Sequence, residues 1–112
     1  MPYFHIQTNV DIPQQDALLK AASVEISKLL SKPESYVMVT VQSSVPMLFA
    51  GTSDPVALLT LKSIRLPTDK TKELSETLCL FMEEQLHISK ERIYIDFVDL
   101  TGSMWGWNGR TF

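Results

Sequence analysis

The 112-residue chain has a single cysteine, Cys79, so no intrachain disulfide can form and a metal site built from several cysteines is excluded. The two histidines, His5 and His87, lie in no motif that would support a Ser-His-Asp triad. No run of 18 apolar residues is present, so the sequence predicts no transmembrane helix. The first residues resemble no secretory signal, and we therefore expect residence in the cytoplasm by default.

Positive charge is also scarce. The formal net charge is −3, which argues against a nucleic-acid partner and against binding to an anionic membrane surface. Hydrophobic residues make up 45% of the chain and charged residues 21%, as in an ordinary globular protein. We expect one domain over residues 1–112, with no cofactor and no metal. A chain of this size buries a modest core, so oligomerisation would stabilise it.

The first part of the chain, about 2–43, has the pattern of a βαβ unit. Tyr3 to Thr8 alternates as a strand does, and apolar residues then recur at helical spacing from Leu18 to Leu30. Pro33 ends this helix, because the residue before a proline avoids the α region. Tyr36 to Gln42 reads as the second strand, and the apolar segment Met47 to Ala50 reads as a short edge strand.

The same order returns over about 56–99. Val56 to Ile64 is an almost continuous apolar run, which predicts a strand covered on both faces. Asp69 supplies the chemistry of a helix N-cap, and the helix that follows ends near Leu86. Arg92 to Val98 alternates as the last strand. Ser89-Lys90 resembles Ser31-Lys32, which indicates that the βαβ unit is duplicated.

Two such units predict an α+β fold in which both helices cover one face of a four-stranded sheet. The other face still carries apolar groups and needs a partner. The remaining tail, residues 100–112, holds both tryptophans. We expect it to pack on a neighbouring chain or to close a pocket.

Pro2 and Lys32 are the candidate chemical groups. Removal of Met1 would leave the secondary amine of Pro2 free, and burial or a nearby cation would make that amine a base at neutral pH. Many proteins begin Met-Pro without catalytic consequence, and with Met1 retained the Pro2 nitrogen is an amide. Lys32 lies at a helix end, where it compensates the helix dipole or anchors a substrate carboxylate.

A set of short motifs, in order along nearly the whole chain, resembles the macrophage migration inhibitory factor and D-dopachrome tautomerase family. The motifs are Pro2 opening a strand, Thr8-Asn9-Val10, Ser31-Lys32-Pro33 with Tyr36, Gly51-Thr52-Ser53-Asp54-Pro55, Leu61-Lys62-Ser63-Ile64, Ile88-Ser89 with Arg92-Ile93-Tyr94-Ile95, and Gly106-Trp107-Asn108 with Thr111-Phe112. The duplicated βαβ unit agrees with the tautomerase superfamily fold.

This resemblance implies a homotrimer whose sheets form a central barrel, with active sites at the subunit interfaces. It implies keto–enol tautomerisation of phenylpyruvate-type 2-keto acids, with Pro2 as the catalytic base. By the same resemblance, Lys32 holds the substrate carboxylate, assisted by the Ile64 N–H at the end of the strand that carries Ser63. The other substrate-binding positions are Tyr94 and Asp96 from the adjacent subunit, and the aromatic residues Tyr36, Trp105, Trp107 and Phe112.

The chain departs from that family at four points. Tyr3 replaces a methionine beside Pro2. Val56-Ala57-Leu58-Leu59 stands where the cytokine member has Cys-x-x-Cys, so a thiol–disulfide activity at that position is absent. Asp96 replaces an asparagine: if ionised, it would disfavour an anionic substrate and raise the pKa of Pro2, and if protonated, it would donate a hydrogen bond as asparagine does. Trp105 replaces a smaller residue and would narrow the pocket entrance.

Two other functions remain open. One is a cytokine-like interaction protein with a protein receptor and signal-independent secretion, in which the tautomerase pocket is vestigial. The other is a related hydrolytic or decarboxylating activity on small acids. It ranks last, because Arg65 and Arg92 do not match the arginines of those relatives.

Overall fold

A computed structural model describes residues 1–112, and it contains two long helices, a four-stranded sheet and a small hairpin. The elements are β1 (Tyr3–Thr8), α1 (Gln15–Leu30), β2 (Met38–Gln42), β3 (Ala57–Ile64), α2 (Thr71–Leu86), β4 (Ile93–Leu100), β5 (Gly106–Trp107) and β6 (Arg110–Thr111). Short 3₁₀ turns precede β2, α2, β4 and the hairpin.

The sheet has the strand order β2-β1-β3-β4. β1 and β2 are parallel, β3 and β4 are parallel, and the central pair β1 and β3 is antiparallel. Each half is therefore a strand, a helix and a parallel strand, and the halves meet at the antiparallel seam. The predicted α+β fold with a four-stranded mixed sheet is confirmed.

Both helices pack on the same face of the sheet. One stripe of each helix is buried, and it meets the inward-facing side chains of β1 and β3 in a single core. Burying a side chain the size of leucine or phenylalanine contributes about 1.5–3 kcal/mol, so this layer supplies most of the stability. Its fully buried members are Phe4, Ile6, Ala22, Ile26, Leu59, Leu61, Leu78, Met82 and Ile88.

The opposite face of the sheet is bare within one chain. Met38, Leu58 and Tyr94 lie on it with 61%, 37% and 66% of their surfaces exposed. β3 thus alternates between buried and exposed residues, and the prediction that it is covered on both faces is wrong for the single chain. The continuous apolar sequence of β3 indicates that another molecule covers this face of the sheet.

Several predicted boundaries also differ. β2 begins at Met38, because Glu34–Tyr36 form a 3₁₀ turn. α2 begins at Thr71 after a second 3₁₀ turn, and no side chain caps it, so the N-cap role expected of Asp69 is wrong. The segment Met47–Ala50 is not a strand: it contributes one bridge, between Phe49 and Thr52.

The duplication is visible in the backbone, although its register differs from the Ser-Lys correspondence. α1 and α2 both end on a left-handed residue, Ser31 and His87, and a 3₁₀ turn follows each at the same distance. When the two halves are aligned on these helix ends, Lys32 is equivalent to Ile88, which is two residues before Lys90. The similarity of the two Ser-Lys pairs is therefore not a structural equivalence.

Neither helix combines the length and the apolar character that crossing a membrane requires.

Candidate active site

A cleft of about 390 Å³ opens beside the amino terminus, where β1 begins and where β3 and β4 end. Two cationic side chains contribute to its wall, and no aspartate or glutamate does. The cleft therefore attracts anions although the whole chain carries a net charge of −3. Its lining residues are Met1, Lys32, Ile64, Arg65, Thr101, Gly102, Ser103 and Phe112.

Lys32 is held in the cleft by the end of α1. Ser31 adopts the left-handed conformation that ends the helix, and the Lys32 N–H donates to the Ser27 carbonyl at 3.0 Å. The Ser27 hydroxyl in turn donates to the Lys32 carbonyl at 2.6 Å. The Lys32 ammonium reaches across to β3 and donates to the Ile64 carbonyl at 3.3 Å. These three bonds fix both ends of the lysine.

Pro2 follows Met1, which lines this cleft, and Pro2 itself is buried and is not among the lining residues. Its carbonyl accepts a hydrogen bond from the Met38 N–H at 3.0 Å, which ties the start of β1 to β2. Met1 precedes it, so the Pro2 nitrogen is an amide here and is not basic. The Met1 amino group donates to the Tyr36 carbonyl at 2.8 Å.

The pKa of the Met1 amine reports the electrostatic environment of the amino terminus. Burial lowers the pKa of the Met1 amine below its ordinary value, and the positive charge of Lys32 lowers it further. Both causes favour the neutral, basic form of an amine at this position.

Three aromatic rings form a wall beside the cleft. Tyr36 meets Trp107 and Phe112 edge to face, with ring centroids 5.7 and 6.0 Å apart. Trp107 and Phe112 are stacked at 5.6 Å, with their planes 17° apart. The structure therefore brings together the three predicted wall residues, and Phe112 connects them to the cleft.

The tail builds this wall by folding back on itself. The Trp105 N–H donates to the Gly102 carbonyl at 3.2 Å, and the Trp105 carbonyl accepts from the Phe112 N–H, also at 3.2 Å. Gly102 has no room for a side chain, because a Cβ there would lie 2.4 Å from the Phe112 carbonyl oxygen. Of the two sequence expectations for the tail, the structure shows that it closes a pocket.

Tyr94 and Asp96 lie elsewhere on the same chain. Strand register places Tyr3 opposite Lys62, and Lys62 opposite Val98, so Tyr94 is four residues and two strands away. At about 3.3 Å per residue and about 4.8 Å per strand, that separation is roughly 16 Å. Both side chains are exposed, and within one chain neither reaches the cleft at Pro2.

Ser63 and Ile64 occupy different environments. Ser63 is buried on the helix-facing side of β3 and is not among the lining residues. Ile64 lines the cleft, and its carbonyl holds the Lys32 ammonium.

A separate cluster surrounds Tyr94. Its ring meets Phe49 edge to face at 4.8 Å, and the Arg92 guanidinium lies 5.2 Å from the centroid of the same phenylalanine. Arg92 also donates four hydrogen bonds to carbonyl oxygens of the loop between β2 and β3. The acceptors are Phe49, Thr52, Asp54 and Pro55. Arg92 thereby fixes the loop that supports Tyr94.

The sequence pattern assigns no role in the site to Ser27, Arg65 or Gly102. No local pattern marks Ser27, which acts through a helix end, or Gly102, which acts through contact with the backbone of Phe112, ten residues later. A charged side chain immediately after a buried strand was the one available signal for Arg65. No group of three or more His, Cys, Asp and Glu residues is placed to hold a metal ion.

Comparison with known proteins agrees with this architecture over the whole chain. The family model described as macrophage migration inhibitory factor matches residues 1–112. The chain is 44% identical to the macrophage migration inhibitory factor homolog of Brugia malayi, covering 100% of this chain and 99% of the relative. It is 36% identical to the macrophage migration inhibitory factor of Rattus norvegicus with the same coverage.

Solved structures of similar proteins have the same fold. The Prochlorococcus marinus homologue of macrophage migration inhibitory factor superimposes with a TM-score of 0.92 at 41% identity, covering 98% of both chains. The Trichinella spiralis macrophage migration inhibitory factor gives 0.93 at 35% identity, covering 98% of this chain and 99% of the other.

Proposed function

The chain belongs to the macrophage migration inhibitory factor family, within the tautomerase superfamily, and we propose that it catalyses keto–enol tautomerisation of phenylpyruvate-type 2-keto acids. One observation carries this proposal: Lys32 and Phe112, which is part of the aromatic wall, line a single cleft beside the amino terminus, where Pro2 follows Met1. The residue roles follow from that arrangement and from the likeness to the family.

Pro2 is the acid and base once Met1 has been removed. Its secondary amine takes the hydroxyl proton of the enol, and its ammonium form delivers a proton to C3, so a C–H bond forms as the O–H bond breaks. The reverse sequence converts keto acid into enol. Burial and Lys32 lower the pKa of the Met1 amine, and the same causes acting on Pro2 would favour its neutral form, which can accept the first proton.

Lys32 binds the substrate carboxylate and stabilises the negative charge that develops on the enolate oxygen. Its ammonium has one hydrogen bond in the structure, to the Ile64 carbonyl, and an ammonium has three donors. Two therefore remain for an oxyanion. Ile64 lines this subsite, and its N–H assists in holding the carboxylate, whereas the buried Ser63 does not line the cleft.

The aromatic wall of Tyr36, Trp107 and Phe112 receives the aryl group of the substrate. Stacked and edge-to-face rings with centroids 5.6–6.0 Å apart present an apolar surface that a phenyl ring can join. Trp105 is joined to Phe112 through a backbone hydrogen bond but is not among the residues that line the cleft in one chain. The expectation that it narrows the entrance stays a prediction.

Tyr94 and Asp96 complete the site from a neighbouring copy in a homotrimer. By register and strand spacing, Tyr94 lies roughly 16 Å and Asp96 roughly 12 Å from Tyr3, the residue after Pro2, in their own chain. This separation supports their delivery by another subunit. The bare sheet face and the two free sheet edges, β2 and β4, are the surfaces that such an assembly would cover.

Ketonisation of enol-phenylpyruvate tests the proposal, using protein whose intact mass shows that Met1 is absent. We expect a rate well above buffer, lost in Pro2→Ala, and retained by protein carrying Lys20→Gln as a control for surface charge. Absence of turnover in the Met1-free wild-type protein would contradict the assignment.

The second candidate is a cytokine-like role, favoured by relatives whose names describe inhibition of macrophage migration. In that case a protein receptor is the partner, the protein is released without a signal segment, and the cleft is incidental. Receptor binding that survives Pro2→Ala, in a protein with no measurable turnover, would favour this role over catalysis.

A further inference from the structure

Arg65 is a second cation in the cleft, and the resemblance to the family gives this residue no role. We propose that Arg65 binds a second carboxylate of the substrate, so that the site accepts 2-oxo dicarboxylic acids in addition to aryl 2-keto acids. This inference rests on the proposed tautomerase function and extends it to a substrate class.

The position of Lys32 brings the two cations together. The Lys32 ammonium donates to the Ile64 carbonyl at 3.3 Å, and that carbonyl belongs to the peptide bond between Ile64 and Arg65. Both side chains line the same cleft, in which no acidic side chain balances them. Two like charges in one concavity repel, and an anion with two carboxylates relieves the repulsion at both.

The backbone at Arg65 is also unusual. Arg65 has a φ of 57°, in the left-handed region that favours glycine, and it is exposed, so core packing does not require a large side chain there. Five other non-glycine residues share this conformation, at helix ends and in turns: Ser31, Ser44, Ala50, His87 and Asn108. Of the six, only Arg65 lines the cleft.

The cleft offers two places for the rest of a substrate. Lys32 takes the 2-keto carboxylate, and Phe112 and Arg65 line the same cleft. An aryl group goes to the wall that begins at Phe112. A carboxylate on the same carbon chain goes to the guanidinium, whose donors form two parallel hydrogen bonds to it.

The chemistry is unchanged by the second carboxylate. C3 of a 2-oxo dicarboxylate loses a proton as the C2 oxygen gains one, and the reverse step regenerates the keto acid. Both steps are isomerisations that need no further reactant.

Binding of glutarate and of pentanoate, which have the same number of carbons and differ by one carboxylate, tests the proposal without turnover. Titration calorimetry on Met1-free protein should show glutarate binding about tenfold tighter, as expected for one added charge-assisted interaction. In Arg65→Gly the preference should fall to near unity, whereas Arg65→Lys should keep part of it. Arg65→Gly suits the left-handed backbone, so loss of folding will not obscure the result.

Lys20→Gln, which removes one positive charge from an exposed position of α1, should leave the preference intact. A preference near unity in the wild-type protein, or an equal preference in Arg65→Gly, would overturn the role of Arg65. Ketonisation of enol-oxaloacetate and enol-phenylpyruvate by the same variants separates the two proposals. Loss of both activities with the glutarate preference retained would refute the tautomerase and support the anion site.

Discussion

Gly102 packs against the main chain of Phe112 so closely that a Cβ on the glycine would lie 2.4 Å from the phenylalanine carbonyl oxygen and 2.9 Å from its carbonyl carbon. These atoms are backbone, which cannot rotate aside as a flexible side chain does. The contact joins the start of the tail to its last ring, and it fixes one side of the cleft.

Replacing Gly102 with alanine should therefore push Phe112 away from Tyr36 and Trp107. We expect KM for an aryl 2-keto acid to rise several-fold while kcat changes less, because the wall binds the substrate but does not transfer the proton. Gly106→Ala is a matched control in the same tail: its Cβ would meet the Arg110 carbonyl at an ordinary 3.6 Å. Equal KM values for the two variants would contradict this role for the contact.

Ser27 should matter to catalysis through Lys32. Ser27→Ala removes the 2.6 Å bond from its hydroxyl to the Lys32 carbonyl, at a cost of about 1 kcal/mol in the free energy of unfolding. Because the loop then holds the ammonium less firmly, we expect kcat/KM to fall several-fold. Ser23→Ala, one helical turn earlier on α1, is the control and should leave kcat/KM within twofold of wild type.

The pH dependence of kcat/KM should report the amino-terminal amine. Burial, followed by Lys32, lowers the pKa of the Met1 amine. We expect the same two causes to lower the pKa of the Pro2 amine once Met1 is removed. Activity should rise with pH as this amine loses its proton, with a midpoint below the ordinary α-amino range of about 7.7–8.0.

Lys32→Gln removes one of these two causes, so the pKa of the amine should rise and the midpoint should move to higher pH. Lys28→Gln, on the exposed side of the last turn of α1, should leave the midpoint in place. A midpoint that stays fixed in Lys32→Gln would show that the lysine charge does not lower the pKa of the amino-terminal amine.

Arg92 should be essential to the loop between β2 and β3. Arg92→Met retains much of the apolar stem but loses four hydrogen bonds to loop carbonyls and the contact with Phe49. We expect a loss of about 2–3 kcal/mol in the free energy of unfolding, measured in urea, because hydrogen bonds to charged groups are among the stronger ones. Lys90→Met, two residues earlier, should change stability by less than about 0.5 kcal/mol.

Side-chain periodicity predicted most of the fold, since alternation and helical spacing report directly which face of an element is buried. β1 and the C-terminal ends of both helices lie where the pattern places them. The 3₁₀ turns at Glu34–Tyr36 and Thr68–Lys70 were missed, because three residues are too few to show a period. The apparent edge strand at Met47–Ala50 failed for another reason: Arg92 holds that loop by its carbonyls, which no local pattern records.

The candidate site was less predictable from local sequence. Resemblance to the family indicated Pro2, Lys32 and the three wall residues, and the structure places the wall rings in contact. Arg65 lies at the cleft, where the chain turns in a left-handed conformation after the end of β3. Glycine usually occupies such a position, so an arginine there does not indicate the turn. The roles proposed for Tyr94 and Asp96 require a neighbouring copy, so a single chain does not test them.

The bare sheet face has a consequence for how the protein behaves in dilute solution. β2 and β4 each pair on one side only, and the face between them exposes Met38, Leu58 and Tyr94. If copies of the chain cover these surfaces, folding and association share one equilibrium, and the unfolding temperature rises with protein concentration by mass action. Newly made chains would meanwhile present unpaired strand edges to one another, so the speed of correct pairing decides between assembly and aggregation.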